Sequence, residues 1–389
     1  MNVHTDAWVL HPGAQANGTS PPARGTLCRQ DFTLPALADD EVLVEPLFVS
    51  WEANIDHALS RQPIDVCRAR GEDPVILANL GVVRVLRSGS PAAAVKEGDL
   101  CLVMPFGKRD RHGYAELAYA YDAPHTTGLF AKRTQLPADL LIPIPEPTSY
   151  SLPQWAAIGR YFTAWDNWRV AHGCWLTQMA GQDPAGQLVF GWGGGVTFAE
   201  LQLARRAGFR VAMTASTDRR LADLARNGII GVDRRLLPDL CYAPAAARDD
   251  PGYRGRYRAA EAKFLGIIDE LSDGTGVAIF VDNIGAPMYK ATAKSLSRQG
   301  VLAACGWKQG MRIDTLRAND CINRHLYVHT HLWRYGDSPL IRDFQEKTGW
   351  IPEISSSAIY DFDEIPQLAD DYAAGKIETY FPLFRVNPV

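Results

Sequence analysis

A glycine-rich turn is the first feature of the sequence whose residue types and spacing could do chemistry. It lies in LVFGWGGGVTFAELQLARRAG (188–208), which opens apolar and ends as a helix-like segment. A strand, a glycine turn and a helix together hold a pyrophosphate, because glycine lets the backbone approach phosphate oxygens and the helix N-terminus adds N–H groups and partial positive charge. The alternative is a tight strand–helix turn without a ligand. The residues expected to bind a dinucleotide here are Gly191, Gly193, Gly194, Gly195 and Val196.

The segment after the next apolar strand indicates which dinucleotide to expect. Sites for NAD usually place a carboxylate on the adenosine ribose roughly 20 residues after the glycines. At that distance stands an alanine, followed by Ser216 and the pair Arg219 and Arg220. A missing carboxylate removes repulsion against a 2′-phosphate, and arginine can chelate one. The sequence therefore favours NADPH, bound by these three residues. Asp218 is the counter-argument, and the alternative is that both arginines belong to an ordinary solvated helical turn.

The glycine turn must be positioned by the elements around it, and the two halves of the sequence predict different kinds of element. Residues 1–150 contain alternating or continuous apolar runs separated by glycine, proline and charge, which indicates β-strands. From residue 153, helix-like and short apolar strand-like segments alternate, which indicates a doubly wound parallel sheet. We expect one domain at 1–152, completed by 337–389, and a nucleotide-binding domain at 153–336.

Two stretches depart from the alternation of helix-like and strand-like segments in the second half. Residues 241–262 are charged and contain proline, and we expect them to form an insertion in the alternating half. The tail, ETYFPLFRV (378–386), is strand-like, and we expect it to return to the sheet of the first half.

The composition excludes several classes of partner. The 389 residues carry a formal net charge of −4, with 47% hydrophobic and 22% charged residues, which is typical of a globular protein. This balance provides no attraction to nucleic acid or anionic lipid, and no apolar run approaches the roughly 18 residues of a membrane span. The seven cysteines are scattered without a C-x-x-C pair, and no secretion signal is evident. We expect a reduced, cytoplasmic protein without nucleic-acid or membrane partners.

Over nearly its whole length the sequence resembles the medium-chain dehydrogenase/reductase superfamily. GWGGGVT (191–197) is similar to the GAAGGVG of zinc-free, quinone-reductase-like members, with Thr197 in place of the last, packing glycine. GYAE (113–116) matches the family's GYAEY, and residues 74–103 resemble the segment leading into its VGDRV strand. The resemblance implies a β-rich GroES-like catalytic domain, a Rossmann domain and a homodimer that joins nucleotide-binding sheets edge to edge, with GVLAACG (300–306) as the edge strand.

The resemblance also implies that no zinc is bound. The histidine ligand of zinc-dependent members corresponds to Asn79, and the regions of the other two ligands, 51–56 and 159–165, contain no cysteine. A catalytic zinc needs three protein ligands and a structural zinc four. The three histidines of HLYVHTH (325–331) are expected to form a surface or pocket group rather than a metal site.

The chemistry that follows from the resemblance is reduction of an activated C=C bond without a metal Lewis acid. NADPH would deliver hydride to the β-carbon of an enoyl thioester or enone, and the enolate must then be held and protonated at the α-carbon. Two candidate donors are Tyr161 and Asn79, although the first could be a core residue and the second a capped strand end. Thr163 lies on the family's helix at the nicotinamide. Backbone at Gly285 and Cys305 is expected to meet the nicotinamide carboxamide.

Within the superfamily, the second half is most similar to crotonyl-CoA reductases and carboxylase/reductases. THLWRY (330–335) parallels their SHFANY, which makes His331 a third candidate donor at their active-site histidine; a structural role is the alternative. Carboxylating members carry a Phe–Glu pair roughly where Lys108 and Arg109 stand here. A cation there would change the charge and water content of a CO₂ pocket, so we expect protonation rather than carboxylation.

The substrate and the exact activity stay open at this point. The substrate is expected to be a small molecule or an acyl thioester, on CoA or on a carrier protein. The alternatives are a zinc-free alcohol or quinone oxidoreductase, a reductive carboxylase of the crotonyl-CoA carboxylase/reductase type, and a non-catalytic NADPH-binding protein.

Overall fold

The chain forms two compact units in the computed structural model. The first unit comprises Met1–Gly159 and Arg334–Val389, and the second comprises Arg160–Trp333. The first contains a mainly antiparallel sheet and the second a parallel one, so the expected fold class is confirmed. The residues that the structure describes are 3–13, 23–90, 94–306, 325–330 and 332–389.

The first unit is strand-rich because its apolar residues alternate with polar ones or form short buried runs. In β1, for example, Thr5, Ala7 and Val9 are buried and the intervening Asp6 and Trp8 are more exposed, which is the period of a half-buried strand. Its elements before residue 160 are β1 (Val3–Leu10), β2 (Leu27–Leu34), β3 (Glu41–Ser50), α1 (Ala53–Ser60), α2 (Val66–Arg70), β4 (Gly81–Ser88), β5 (Leu100–Val103), β6 (Phe106–Arg109), β7 (Ala115–Ala118), β8 (Thr134–Pro137), β9 (Leu141–Pro143) and α3 (Leu152–Ala156).

The second unit is a doubly wound sheet whose described strands are all parallel. The order is β12-β11-β10-β13-β14-β15, so the chain reverses direction across the sheet between β10 and β13, where ligands bind in such folds. Both of these strands are buried along their whole length, because helices cover both faces. The elements are α4 (Ile158–Met179), β10 (Leu188–Trp192), α5 (Gly195–Arg206), β11 (Arg210–Ala215), α6 (Asp218–Arg226), β12 (Ile230–Asp233), α7 (Pro244–Asp249), α8 (Tyr253–Leu271), β13 (Val277–Asp282), α9 (Tyr289–Ser295), β14 (Leu296–Ala304) and β15 (Leu326–His329).

The structure differs from the sequence-based expectations for this unit at its edge strand and in the stretch 241–262. The sequence resemblance implies that GVLAACG (300–306) is the edge strand, but β14 pairs with both β13 and β15, so that prediction is wrong. The edge among the described strands on this side is β15, which the sequence concealed because its residues are mostly exposed. The stretch 241–262 is largely helical, since it contains α7 and the start of α8, and α8 packs Phe264 and Ile268 into the core beside the sheet.

The C-terminal segment completes the first unit. It forms α10 (Ser338–Thr348), β16 (Ile359–Asp361), α11 (Ile365–Ala373) and β17 (Leu383–Arg385). β17 pairs antiparallel with β3, so the expected return of the tail to the first sheet is confirmed. Phe384 of β17 packs against Phe130, with ring centroids 5.2 Å apart, and Phe130 stacks on Trp51. None of the described helices is both long and apolar enough to cross a bilayer.

Candidate functional site

The glycines of the turn after β10 are needed for two separate reasons. A Cβ at Gly191 would lie 2.5 Å from Cγ2 of Thr197, and a Cβ at Gly193 would overlap the Thr197 hydroxyl. A Cβ at Gly194 would meet nothing within 4 Å. The first two glycines therefore make room for Thr197, which replaces the expected packing glycine, and the third faces open space that a ligand can approach.

The start of α5 fits an anionic ligand. Its N-cap residue is Gly194, and no side chain of the described residues caps it. The first N–H groups of a helix lack intrahelical acceptors, and together with the helix dipole they attract an anion. Gly195 and the half-buried Val196 form the first turn. The residues present thus suit the pyrophosphate of a dinucleotide.

The residues expected to select NADPH lie together where β11 meets α6. Ser216 follows the last residue of β11, and Arg219 and Arg220 lie in the first turn of α6. All three are half-buried. Thr217 caps α6 by accepting a hydrogen bond from the backbone N–H of Arg220 at 3.3 Å, so the cap fixes the start of the helix that carries both arginines.

A further arginine, which the sequence analysis missed, compensates the carboxylate next to this pair. Arg235 contacts Asp218 at 2.5 Å and Asp233 at 2.9 Å. Asp218 is 86% exposed, so the ion pair adds little stability. It does compensate the negative charge of Asp218, which would otherwise repel the 2′-phosphate of NADPH. Arg235 follows β12, and only the pairing of β12 with β11 brings it to this position.

The ends of β13 and β14 are joined to α5 by Asn283, a second residue that the sequence analysis missed. Its Nδ2 donates to the Thr197 hydroxyl at 2.9 Å, and its Oδ1 accepts from the backbone N–H of Cys305 at 3.0 Å and of Gly306 at 3.1 Å. One amide thus holds three elements at the carboxyl edge of the sheet. The available signal was a polar residue directly after a buried strand, in VDN (281–283).

The backbone donors expected to meet the carboxamide already have acceptors. The N–H of Gly285 donates to Oδ1 of the buried Asp282 at 3.1 Å, and the N–H of Cys305 donates to Asn283. A contact from Gly285 or Cys305 to a ligand would therefore use a carbonyl oxygen. Burial raises the pKa of the Cys305 thiol well above its usual range, so this thiol stays protonated.

The carboxyl group of Glu200 is buried on α5, one turn after Thr197. Glu200 is fully buried, and the Asn167 amide of α4 donates to both of its oxygens, at 3.0 and 2.8 Å. Oδ1 of Asn167 in turn accepts from the Thr330 hydroxyl, just after β15, at 2.9 Å. Burial raises the pKa of Glu200 to about 8. The sequence by itself gives no sign of this buried group, because a glutamate in a helix is normally exposed.

Tyr161 and Thr163 both lie on α4, but in different surroundings. Tyr161 is fully buried, and its hydroxyl donates to Oε1 of Gln202 on α5 at 3.1 Å. Burial raises its pKa well above the usual value. This placement favours the packing role that the sequence left open. Thr163 is half-buried one turn before Asn167, on the face that carries the Glu200 network.

In the first unit, Asn79 lies in a strained and polar neighbourhood. It is 3% exposed, and its Nδ2 donates to the carbonyl of Tyr119 at 2.8 Å. The preceding Ala78 has a φ of 73°, a conformation that costs energy for any residue with a Cβ. The hydroxyl of Tyr121 hydrogen-bonds to the Ala78 backbone, and burial together with the charge of Glu52 raises the Tyr121 pKa well above its usual range. Tyr121 is thus a hydroxyl beside Asn79 that the sequence analysis missed.

The remaining residues singled out in the sequence are the cations Lys108 and Arg109 and the candidate donor His331. Lys108 is 65% exposed and pairs with Glu116 at 2.5 Å. Arg109 pairs with Asp139 at 2.5 Å and lies over the ring of Tyr335, 4.0 Å from its centroid. Both cations are compensated, so each affects its surroundings less than a free cation would. His331 lies outside the described residues.

Metal independence stays a prediction. In the described ranges, no three side chains of His, Cys, Asp or Glu are grouped as a metal site would require. Elemental analysis of the purified protein tests the prediction directly, because one stoichiometric zinc per chain would contradict it.

No protein-family model matches the sequence, and no curated protein matches it. Several solved structures are similar. The crotonyl-CoA carboxylase/reductase AntE in complex with NADP is 18% identical, with 99% of this chain and 95% of that chain covered and a TM-score of 0.76. The 2-octenoyl-CoA carboxylase reductase CinF in complex with NADP and 2-octenoyl-CoA is 18% identical, with coverage of 98% and 87% and a TM-score of 0.75. An NAD-dependent alcohol dehydrogenase is also 18% identical, with coverage of 98% and 100% and a TM-score of 0.72.

These structures belong to the medium-chain dehydrogenase/reductase superfamily. Their fold, with a GroES-like and a Rossmann domain, is the fold of this chain, so the fold implied by the sequence resemblance is confirmed. At this level of identity the likeness establishes the fold, and the activity has to be argued from the site.

Proposed function

We propose that the protein is an NADPH-dependent reductase of an activated C=C bond in an enoyl thioester or an enone. The observation that carries the proposal is the glycine turn at the uncapped start of α5, at the switch point of a Rossmann sheet. Structures with this fold include reductases that hold NADP, one of them together with an enoyl-CoA. The fold by itself does not choose the cofactor, since an NAD-dependent enzyme shares it.

The choice of NADPH rests on charge at the end of β11. Ser216, Arg219 and Arg220 stand where an NAD site usually has a carboxylate, and Arg235 compensates the neighbouring Asp218. Arginine binds phosphate through a planar set of donors, which suits a 2′-phosphate. NADH instead has two free hydroxyls on this ribose, which a carboxylate would bind. Ser216, Arg219 and Arg220 provide no carboxylate.

The residues of this chain would divide the work as follows. The turn and the first N–H groups of α5 would bind the pyrophosphate, and Asn283 would keep the strand ends and Thr197 in place. When bound, NADPH supplies the hydride for the β-carbon of the substrate. Asn79 and Tyr121 are the side chains that we propose to hold the enolate oxygen and provide a proton, because the Tyr161 hydroxyl is committed to packing. His331 remains a candidate donor from the sequence resemblance.

We further propose that the α-carbon is protonated and not carboxylated. The support is the pair Lys108 and Arg109 at the positions that carboxylating relatives fill with Phe and Glu, although both cations are ion-paired. Reductive carboxylation is the second candidate function, favoured by the carboxylase/reductases among the similar structures. Running the reaction in ¹³C-bicarbonate distinguishes the two, because a new labelled carboxylate beyond a trace would establish carboxylation.

The substrate is proposed to be a small molecule or an acyl thioester on CoA or a carrier protein. We also propose a cytoplasmic location, which is consistent with the described cysteines, all of them free thiols.

A panel of enoyl-CoAs, enones, quinones and ketones, followed by NADPH absorbance, tests the proposal. We expect NADPH consumption with at least one enoyl thioester or enone. Turnover with quinones or ketones alone would instead identify a zinc-free quinone or alcohol oxidoreductase. Tight NADPH binding with no turnover of any compound would identify a non-catalytic binding protein.

A further inference from the structure

The carboxyl group of Glu200 has surroundings that a surface glutamate never has. It is fully buried, and its hydrogen-bond partner among the described residues is the Asn167 amide rather than a cation. A buried carboxylate without a positive partner is strongly disfavoured, so such a group keeps its proton. The two hydrogen bonds from the Asn167 amide favour the charged form, but burial outweighs them.

The contacts of Glu200 reach the carboxyl edge of the sheet on two sides. Through Asn167 it is linked to the Thr330 hydroxyl, and the backbone N–H of Thr330 donates to the carbonyl of Ala304 at 3.0 Å. One turn earlier on the same face of α5, Thr197 binds Asn283. This helix face therefore holds the ends of β13, β14 and β15 together with α4, directly behind the glycine turn.

Glu200 is also close to the place where an anion would bind. It follows Gly195 by five residues, and at 1.5 Å per residue this corresponds to about 7.5 Å along the helix axis. A negative charge at that depth in a buried site would oppose the partial positive charge of the helix N-terminus. The protonated acid does not oppose it.

We propose that Glu200 is a positioning residue for the dinucleotide: as a neutral acid it fixes Asn167 and Thr330 at the strand ends, and the loss of its proton weakens cofactor binding. The inference rests on the proposed function and deepens it, because it makes cofactor affinity dependent on the protonation of one buried side chain.

Other titratable groups around Glu200 have to be separated from it. Cys305, at the end of β14, is close enough for its thiol pKa to be raised in part by the charge of Glu200, and Asp166 of α4 acts on the same thiol. Arg160 of α4 is a further charged group buried in the same unit. The cofactor's own phosphate titrates near pH 6, so the measurements start above pH 7.

The test measures the NADPH dissociation constant by fluorescence from pH 7 to 9.5 in three proteins. We expect the wild type to bind about tenfold more weakly at the upper pH, and Glu200→Gln to bind with little change across the range. Glu261→Gln is the matched control, because Glu261 is another buried acid in this unit but is ion-paired with Lys294 at 2.5 Å; it should follow the wild type.

A second measurement needs no variant. Because an anion bound near Glu200 raises its pKa, NADPH binding at pH 8 should take up protons, which calorimetry in buffers of different ionisation enthalpy detects. A pH-independent affinity and no proton uptake in the wild type would overturn the inference while leaving the proposed function intact. A pH response that persists in Glu200→Gln would overturn it as well. Failure to bind NADPH at any pH would overturn both proposals.

Discussion

The cofactor preference is decided by a few side chains at the end of β11. Arg219 and Arg220 share the first turn of α6 with Asp218, whose charge is compensated by Arg235. We expect NADPH to bind at least about tenfold more tightly than NADH, which corresponds to about 1.4 kcal/mol. Replacing either Arg219 or Arg220 by alanine should weaken NADPH binding and leave NADH binding nearly unchanged, because only NADPH carries the 2′-phosphate.

Fluorescence titration with both cofactors checks this prediction. Arg226→Ala is the matched control, since Arg226 lies in the last turn of the same helix and pairs with Asp223 on the surface. It should leave both affinities unchanged. Equal affinities of the wild type for the two cofactors, or tighter binding of NADH, would refute the assignment.

Glu200 should also make stability depend on pH. Burial raises the pKa of Glu200 from its ordinary value of 4.5 to about 8 on folding, so the folded state retains a proton that the unfolded state releases above pH 4.5. Stability due to this group is then complete at low pH and falls as the pH rises toward 8, by about 1.4 kcal/mol per pH unit and on the order of a few kcal/mol in total.

Glu200→Gln should remove that slope and raise the melting temperature at pH 8 relative to the wild type. Denaturant unfolding of both proteins at several values between pH 5.5 and 8.5 measures the difference. Parallel stability profiles for the wild type and Glu200→Gln would show that the carboxyl is ionised in the folded protein.

At the scale of elements, the turn between β10 and α5 depends on a fit between strand and helix. A Cβ at Gly191 would lie 2.5 Å from Thr197 Cγ2 and 3.3 Å from the carbonyl of Val281. Gly191→Ala should therefore destabilise the protein by about 1–3 kcal/mol, as overpacking does.

Thr197→Ser tests the cause of that loss. It removes the offending methyl group and keeps the hydroxyl that accepts a hydrogen bond from Asn283. In the double variant Gly191→Ala, Thr197→Ser, most of the lost stability should return, as denaturant unfolding would measure in a double-mutant cycle. Strictly additive effects would mean that Thr197 is not the group that demands glycine at 191.

At the scale of the whole molecule, the sheet of the second unit presents β15 as its outermost described strand on one side. Leu326 is 37% exposed and Tyr327 52% exposed, and an exposed strand edge invites pairing with another chain. We retain the expectation of a homodimer and now assign its contact to β15, since β14 is internal. Light scattering should give a mass about twice the 42.9 kDa of one chain.

A charge on this edge should interfere with the pairing. Tyr327→Lys is expected to shift the protein toward the monomer at low concentration, whereas Leu340→Lys, at a 55% exposed position on α10, should not. A wild-type mass near that of a single chain would contradict the dimer, and an unchanged dimer in Tyr327→Lys would place its interface elsewhere.

Local patterns were enough to predict the fold class, the glycine turn and the return of the tail to the first sheet. Each of these depends on residues close together in the chain, such as the apolar runs of β10 and β13 and the glycines between β10 and α5. Their periodicity and backbone requirements are visible without knowledge of distant neighbours. The three-residue strand β17 was predicted for the same reason, because its segment is strongly apolar.

Tertiary structure alone decided which polar groups meet and which strand is at the edge. Glu200, Asn167 and Thr330 are separated by long stretches of chain, as are Thr197, Asn283 and Cys305, and each residue taken singly is typical of a solvated surface. The sheet order placed β15 outside β14 and brought Arg235 to Asp218. Local sequence determines periodicity and backbone freedom, whereas burial and hydrogen-bond partners depend on contacts between distant segments, and these contacts set the charge state of Glu200.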